Sequence, residues 1–344
     1  MKHLLPSLLF VLFMASSQAQ DFKTPSEYLT FIGKETNVIS KSTWKYTSTV
    51  AHSRSARKID KTRIALVKSI QNATKKFEAM KDGYKGDVEY KNQLLAYLSI
   101  SEKQINQDYD KIIDMQEVAE QSYDFMEAYI LARDLVNAKI NEEVDKLNTN
   151  QKLFANKYGI QITEDNSELS KKMKISKEVF ENHTQLFLIF FKANITESNM
   201  MTAIATNDLN AIQQNSNALE QYATDGLALL KTFVSFKNDP ILVNATKKVM
   251  DFYKKEVAEF TPKVISFLML NQKVAESKKT MEAKSQKDLT KTEIDAFNKL
   301  IGEVNREVGN YNKLNTKFNG ERSIAINNWN EAGEYFINKH VPVD

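Results

Sequence analysis

The chain has 344 residues, 42% of them hydrophobic, with 9 glycines, 5 prolines, no cysteine and a formal net charge of +3. That hydrophobic share can supply a core for one large or two medium domains. So few breakers argue against an all-β or α/β fold, which needs many more turn residues, and favour long helices. A charge so close to balance gives no case for nucleic-acid binding.

Residues 1–20 read MKHLLPSLLFVLFMASSQAQ. Lys2 and His3 form a charged start, an apolar run follows, and Ser17-Gln18-Ala19 fits a small-x-small cleavage site. Residues 1–19 therefore read as a secretory signal peptide, too short in its apolar part to anchor the chain uncleaved. No cysteine follows the cleavage site to carry a lipid, and no later stretch approaches the roughly 20 apolar residues of a spanning helix. The mature protein is expected to be exported, to the periplasm or the cell surface, with no transmembrane span after signal cleavage.

Thr24 or Ser26 can cap a first helix that carries Tyr28, Phe31, Ile32, Val38, Ile39, Trp44 and Tyr46, although its Ser and Thr content weakens helix propensity. Ile59, Leu66, Ile70, Ala73, Phe77 and Met80 share one face of a second helix, with Arg63 the one intruder. Asp82-Gly83 should end it, and Asp87 should cap the next. A single helix from 87 to 128 would be roughly 60 Å long, so a break is expected between Asn106 and Ala132. Tyr158-Gly159 stops the following helix, and residues 160–167 connect to the second half.

The second half opens with a helix over 171–205. Its run Leu186-Phe187-Leu188-Ile189-Phe190-Phe191 is apolar on every side and predicts burial. Ala218, Tyr222, Leu227 and Leu230 mark a further helix, and Asp239-Pro240 is a strong start signal for the one after it. A polar spacer over 284–289 precedes Thr290-Lys291-Thr292-Glu293, a capping box. Ile326, Trp329, Ala332, Phe336 and Ile337 line one face of the last helix, and Pro342 stops it.

The two halves share a register. Asp87, Asn92, Lys103 and Lys111 recur as Asp239, Asn244, Lys255 and Lys263 at one offset, 152 (239 − 87). The offset drifts to 155 at Met126-Glu127-Ala128 against Met281-Glu282-Ala283. It reaches 167 at Lys146-Leu147-Asn148-Thr149 against Lys313-Leu314-Asn315-Thr316. A duplication with altered loops leaves this kind of trace. The expected fold is all-α and elongated, two tandem helical-bundle repeats of about four helices each, spanning 20–162 and 163–344.

Chemistry is sparse. His52, His183 and His340 lack the Glu three residues before them that a ferritin-like metal site requires, and each reads as a surface or cap residue. No G-x-S-x-G, G-x-G-x-x-G or phosphate-loop pattern occurs. No catalytic residue, cofactor or metal site is therefore assigned. Two charge clusters are the candidate partner contacts. Arg54, Arg57, Lys58, Lys61 and Arg63 crowd one stretch, broken by Asp60. Asp108, Asp110 and Asp114 begin an acidic one that continues through Glu117, Glu120, Asp124 and Glu127. The basic stretch could meet anionic lipid or sugar-phosphate at an envelope. The plainer and preferred reading is two solvated faces, or faces that pair with each other inside the first repeat.

DMQEVAEQSYDFMEAYILA (114–132), QLFLIFFK (185–192) and the ending NNWNEAGEYFINKHVP (327–342), set within the duplicated pattern, resemble a family of exported, predicted surface proteins of spirochaetes and Bacteroidetes that is itself uncharacterised. The resemblance covers nearly the whole mature chain. It implies a bacterial, helical, surface-associated protein and brings no activity, ligand or catalytic residue. The function expected on these grounds is non-catalytic binding of a partner, an envelope component or another protein, along helical faces. The alternative is an enzyme or small-ligand carrier with its site between the two bundles.

Overall fold

The computed structural model describes residues 22–119, 123–163 and 166–343, with the backbone alone at 56, 107–119, 123–125 and 127–138. Among the described residues all regular structure is helical. The helices are α1 (Pro25–His52), α2 (Ala56–Ala79), α3 (Glu89–Ala119), α4 (Tyr123–Lys157), α5 (Glu168–Ala205), α6 (Leu209–Thr232), α7 (Ile241–Glu259), α8 (Thr261–Glu282) and α9 (Lys291–His340), with a single 3-10 turn over Phe236–Asn238. No described helix is long and apolar enough to cross a membrane. The signal-peptide reading falls on residues 1–19, outside the described ones.

Two compact units emerge. Unit 1 takes residues 22–43, 61–109 and 136–163, and unit 2 takes 44–60, 110–135 and 166–343. Unit 1 closes on aromatic rings: Tyr28, Phe77 and Phe154 are buried, and Tyr28 lies 5.1 Å from Phe154 and 5.8 Å from Tyr84 between ring centroids. The expected face of α2 is the buried one, with Leu66, Ile70, Ala73, Phe77 and Met80 all almost fully enclosed. α1 is continuous despite its threonines because Thr36, Thr43 and Thr49 each donate back to the carbonyl four residues earlier, at 3.0, 3.0 and 2.7 Å. Thr24, rather than Ser26, caps it by accepting from the Glu27 amide.

Unit 2 packs α5, α6, α7 and α9 around one core that also takes Trp44 from α1. Within the run over 186–191, Leu186, Phe190 and Phe191 are buried and the other three are half-buried. Phe190 stacks flat on Trp329, with centroids 4.0 Å apart and planes at 8°. The buried stripe of α6 is Ile212, Ser216, Leu219, Ala223, Gly226 and Leu230. The expected residues Ala218, Tyr222 and Leu227 flank it, so the face is turned by about one residue.

Two boundaries differ from expectation. α2 ends at Ala79, before Asp82-Gly83, and the Lys91 ammonium donates to the freed carbonyls of Met80 and Lys81 at 3.0 and 2.9 Å. The break expected between Asn106 and Ala132 falls in a range that includes residues 120–122, outside the described ones. α7 ends at Glu259 because Pro262 lacks the amide that would continue it and crowds the preceding turn; its counterpart at the same offset is Asp110, and α3 runs through it.

Candidate functional site

The core of unit 2 contains charge. Arg322 of α9 ion-pairs with Glu197 of α5 and Glu256 of α7, and both carboxylates are buried. Each occupies a position on the apolar stripe of its helix: Glu197 between Phe190, Ala193 and Met200, and Glu256 between Val249, Tyr253 and Phe260. Helical spacing therefore aims them inward. Burial and the neighbouring Glu197 outweigh Arg322 and push the Glu256 carboxyl up to about 8, while burial also raises Glu197. Tyr253 lies alongside, donating to Asn194 Oδ1 at 2.9 Å. One guanidinium thus serves two carboxylates.

This cluster ties three helices, with Arg322 its one partly exposed member. Glu256 is fully buried. The groove of about 620 Å³ between α5 and α6 is lined by Leu188, Ile189, Leu229 and Val234, and the cleft of about 740 Å³ between α8 and α9 by Phe267, Tyr311, Lys263 and Lys273. Neither includes a member of the cluster. Among the described residues no group of three or more histidines, aspartates and glutamates stands where it could hold a metal ion.

A second construction appears once in each unit. In unit 1, Tyr84-Lys85-Gly86-Asp87 makes a tight turn with φ of +50° at Lys85 and +90° at Gly86. The Asp87 amide donates to the Tyr84 carbonyl at 2.9 Å, and the Tyr84 amide returns a bond at 3.0 Å. Gly83 is obligatory here, since a Cβ on it would lie 2.0 Å from the Asp87 carbonyl oxygen. The Asp87 carboxylate accepts from Lys157 Nζ at 2.7 Å, from the Tyr158 hydroxyl at 3.2 Å and from the Glu89 backbone. Burial alone would push Asp87 up, but these three bonds hold it below the usual carboxylate range.

In unit 2, Phe236-Lys237-Asn238-Asp239 repeats the turn with φ of +50° and +57° at its centre, and the Asp239 amide donates to the Phe236 carbonyl at 3.0 Å. Asp239 accepts from the Ile241 amide at 3.1 Å and from Lys339 Nζ and His340 Nε2, each at 2.8 Å. Burial again opposes, and these bonds outweigh it to bring Asp239 down to about 2. The rings correspond too. Tyr84 meets Tyr158 and Phe154 at 5.0 and 5.8 Å, and Phe236 meets His340 and Phe336 at 5.2 and 6.4 Å. The partners of the two turns read Phe154-Ala155-Asn156-Lys157-Tyr158 and Phe336-Ile337-Asn338-Lys339-His340, 182 residues apart (336 − 154). Sequence reasoning found the two aspartates but not these partners. The pattern F-x-N-K-aromatic was the available signal, displaced by a further 15 residues (182 − 167) from the last match that had been seen.

The residues proposed from sequence as partner contacts fall in both units. Arg54 is tied to Glu334, its Nε donating at 3.0 Å. Arg63 is half-buried and reaches Asn106 Oδ1 at 3.4 Å. Arg57, Lys58 and Lys61 are exposed in the first two turns of α2, whose first turn carries no acidic residue against the positive end of the helix dipole. Asp108, Asp110 and Asp114 belong to α3, and their side chains lie outside the described residues.

No family model, no curated protein and no solved structure matches this chain.

Proposed function

We propose that the chain is an exported, non-catalytic interaction protein of the periplasm or cell surface, built as two tandem four-helix repeats. In this reading α1–α4 form the first repeat, and α5, α6, α7 continued by α8, and α9 form the second. The two matching turns support the tandem reading, as does the spacing of buried residues: Leu66, Ile70, Ala73 and Phe77 against Leu219, Ala223, Gly226 and Leu230 at a constant 153 (219 − 66). The observation that carries the binding role is the α8–α9 hairpin. No residue from 269 to 317 is buried, although Val274, Phe297, Leu300 and Val304 follow helical spacing along its seam. Forty-odd residues of helix with no buried side chain, of which Tyr311 and Leu314 reach the core only as partly buried neighbours, gain little stability from packing, so their apolar seam is suited to a helical segment of another protein.

The test replaces residues 271–312 by a short glycine-serine linker and uses the full-length and shortened mature proteins as bait in envelope extract. Loss of the captured species, with the near-ultraviolet signal of Trp329 retained, is the expected result. Equal capture by both baits would sink the reading. A second reading, loose attachment to an anionic envelope surface, rests on the exposed cations of α2. It expects salt-sensitive binding to anionic vesicles that is lost when Arg57, Lys58 and Lys61 are changed to Gln.

A further inference from the structure

The three described histidines come from distant parts of the chain, and all meet the last third of α9. His52, the final residue of α1, places Nδ1 3.0 Å from Asn338 Oδ1 and Nε2 3.3 Å from the Pro342 carbonyl oxygen. His340 binds Asp239 at 2.8 Å, its ring held between Phe236 and Phe336 at 5.2 and 4.9 Å. His183 of α5 is half-buried, 6.1 Å from the Trp329 ring, and fits the notch left by Gly333, where a Cβ would approach its Nε2 to 3.2 Å. We propose that this end of α9 is an acid-responsive hinge, in which lowering the pH loosens its seat on α5 at His183 while its terminal turn stays tethered through His52 and His340.

The argument is one of partners. His52 faces two oxygen acceptors, and only the imidazolium form can donate from both ring nitrogens at once. The imidazolium form of His340 is paired with a carboxylate that stays ionised far below neutral, because Asp239 sits at about 2. Both rings therefore hold the terminal turn through oxygen partners on the chain around it. His183 meets an indole and a glycine rather than an acceptor, and its burial pushes the imidazole down, so a proton there is better accommodated when α9 draws away from α5 and more water reaches the ring. Three other charged groups around the segment are held by partners of their own. From the chain after α1, Arg54 binds Glu334 of α9; from α5, Lys172 Nζ donates to the Val343 carbonyl at 2.8 Å; and on α9, Lys339 shares Asp239.

Hydrogen exchange of the full mature chain at pH 7 and pH 5, corrected for intrinsic rates, tests this. Amides of residues 326–337 should exchange measurably faster at pH 5 than at pH 7, because a proton on His183 is held more readily in the open state than in the seated one. Residues 338–341 should not change. His183→Gln, or His183→Asn if the first does not fold, should abolish the acceleration. The double variant His52→Gln, His340→Gln should extend it through 338–341. An unchanged rate at 326–337 in the natural protein overturns the proposal. So does equal acceleration throughout unit 2, the same acceleration in a folded His183 variant, or protection at 338–341 that survives the double change.

Discussion

Unit 1 and unit 2 agree at their turns and differ at their centres. Both turns put two residues at positive φ, both end in an aspartate that caps the next helix, and both aspartates take a lysine and a ring residue from a distant helix end. At the centre, unit 2 holds Arg322 between two buried carboxylates. The position of Glu256 at the 152 offset is Gln104, neutral, with a buried Oε1 that has no partner among the described residues. The turn is constrained because an aspartate that caps a helix and draws in a cation satisfies backbone amides nothing else can reach. A core position tolerates either a neutral amide or a charge, provided the charge has its counter-ion.

The largest expected effect tests the charged centre. Arg322→Met should destabilise the protein by about 3 to 5 kcal/mol in urea unfolding, because it strands Glu197 and Glu256 in the core. Changing Glu197 and Glu256 to Gln in the same chain should recover most of that loss. Failure to recover would mean that Arg322 acts through packing rather than charge.

Next come the turns. Asp239→Ala and Asp87→Ala should each cost about 2 kcal/mol, near the upper end for a lost helix cap, since each also releases a lysine. Unequal losses would break the comparison between units. Acid unfolding sharpens it: Asp239 is depressed to about 2 from an ordinary 3.8, so its contribution is present above that ordinary value and is lost as pH falls toward 2. Asp239→Ala should flatten this part of the profile.

Glu256 acts with the opposite sign. Between its ordinary value of 4.5 and about 8 the folded state keeps a proton that the unfolded state has released. Stability therefore falls as pH rises through that window. Glu256→Gln should reduce this dependence and raise the melting temperature at pH 9 more than at pH 5. A parallel shift at both pH values would contradict the raised carboxyl.

The smallest effect compares the two ring partners. Tyr158→Phe removes one hydrogen bond to Asp87 and should cost about 1 kcal/mol, independent of pH from 5 to 8. His340→Gln should cost a similar amount, since it too removes one hydrogen bond to the turn's aspartate. Unequal losses would separate the two ring partners.

Much of this was legible in residues. Leu66 to Met80 on α2 and Trp329, Ala332 and Phe336 on α9 lie on the predicted faces because helical period and hydrophobicity are local properties. Thr290 and Glu293 form the predicted capping box for the same reason. The charged core was not read, because Glu197, Glu256 and Arg322 look like ordinary surface residues unless their place on an apolar stripe is noticed. The histidines were read as surface or cap residues. His52 and His340 do end helices, but His183 sits mid-helix against Trp329.

The amino-acid sequence by itself determined the helices, most of their ends and the apolar stripes, since each depends on residues within a turn or two of one another. Only the tertiary structure decided which distant groups complete each local arrangement. It placed Lys157 and Tyr158 on Asp87, Lys339 and His340 on Asp239, and Arg322 between two glutamates. Those pairings span 66 to 125 residues for the glutamates (322 − 256 and 322 − 197), far beyond any helical period. They exist because buried charges and freed amides must be satisfied by whatever the packed helices bring near.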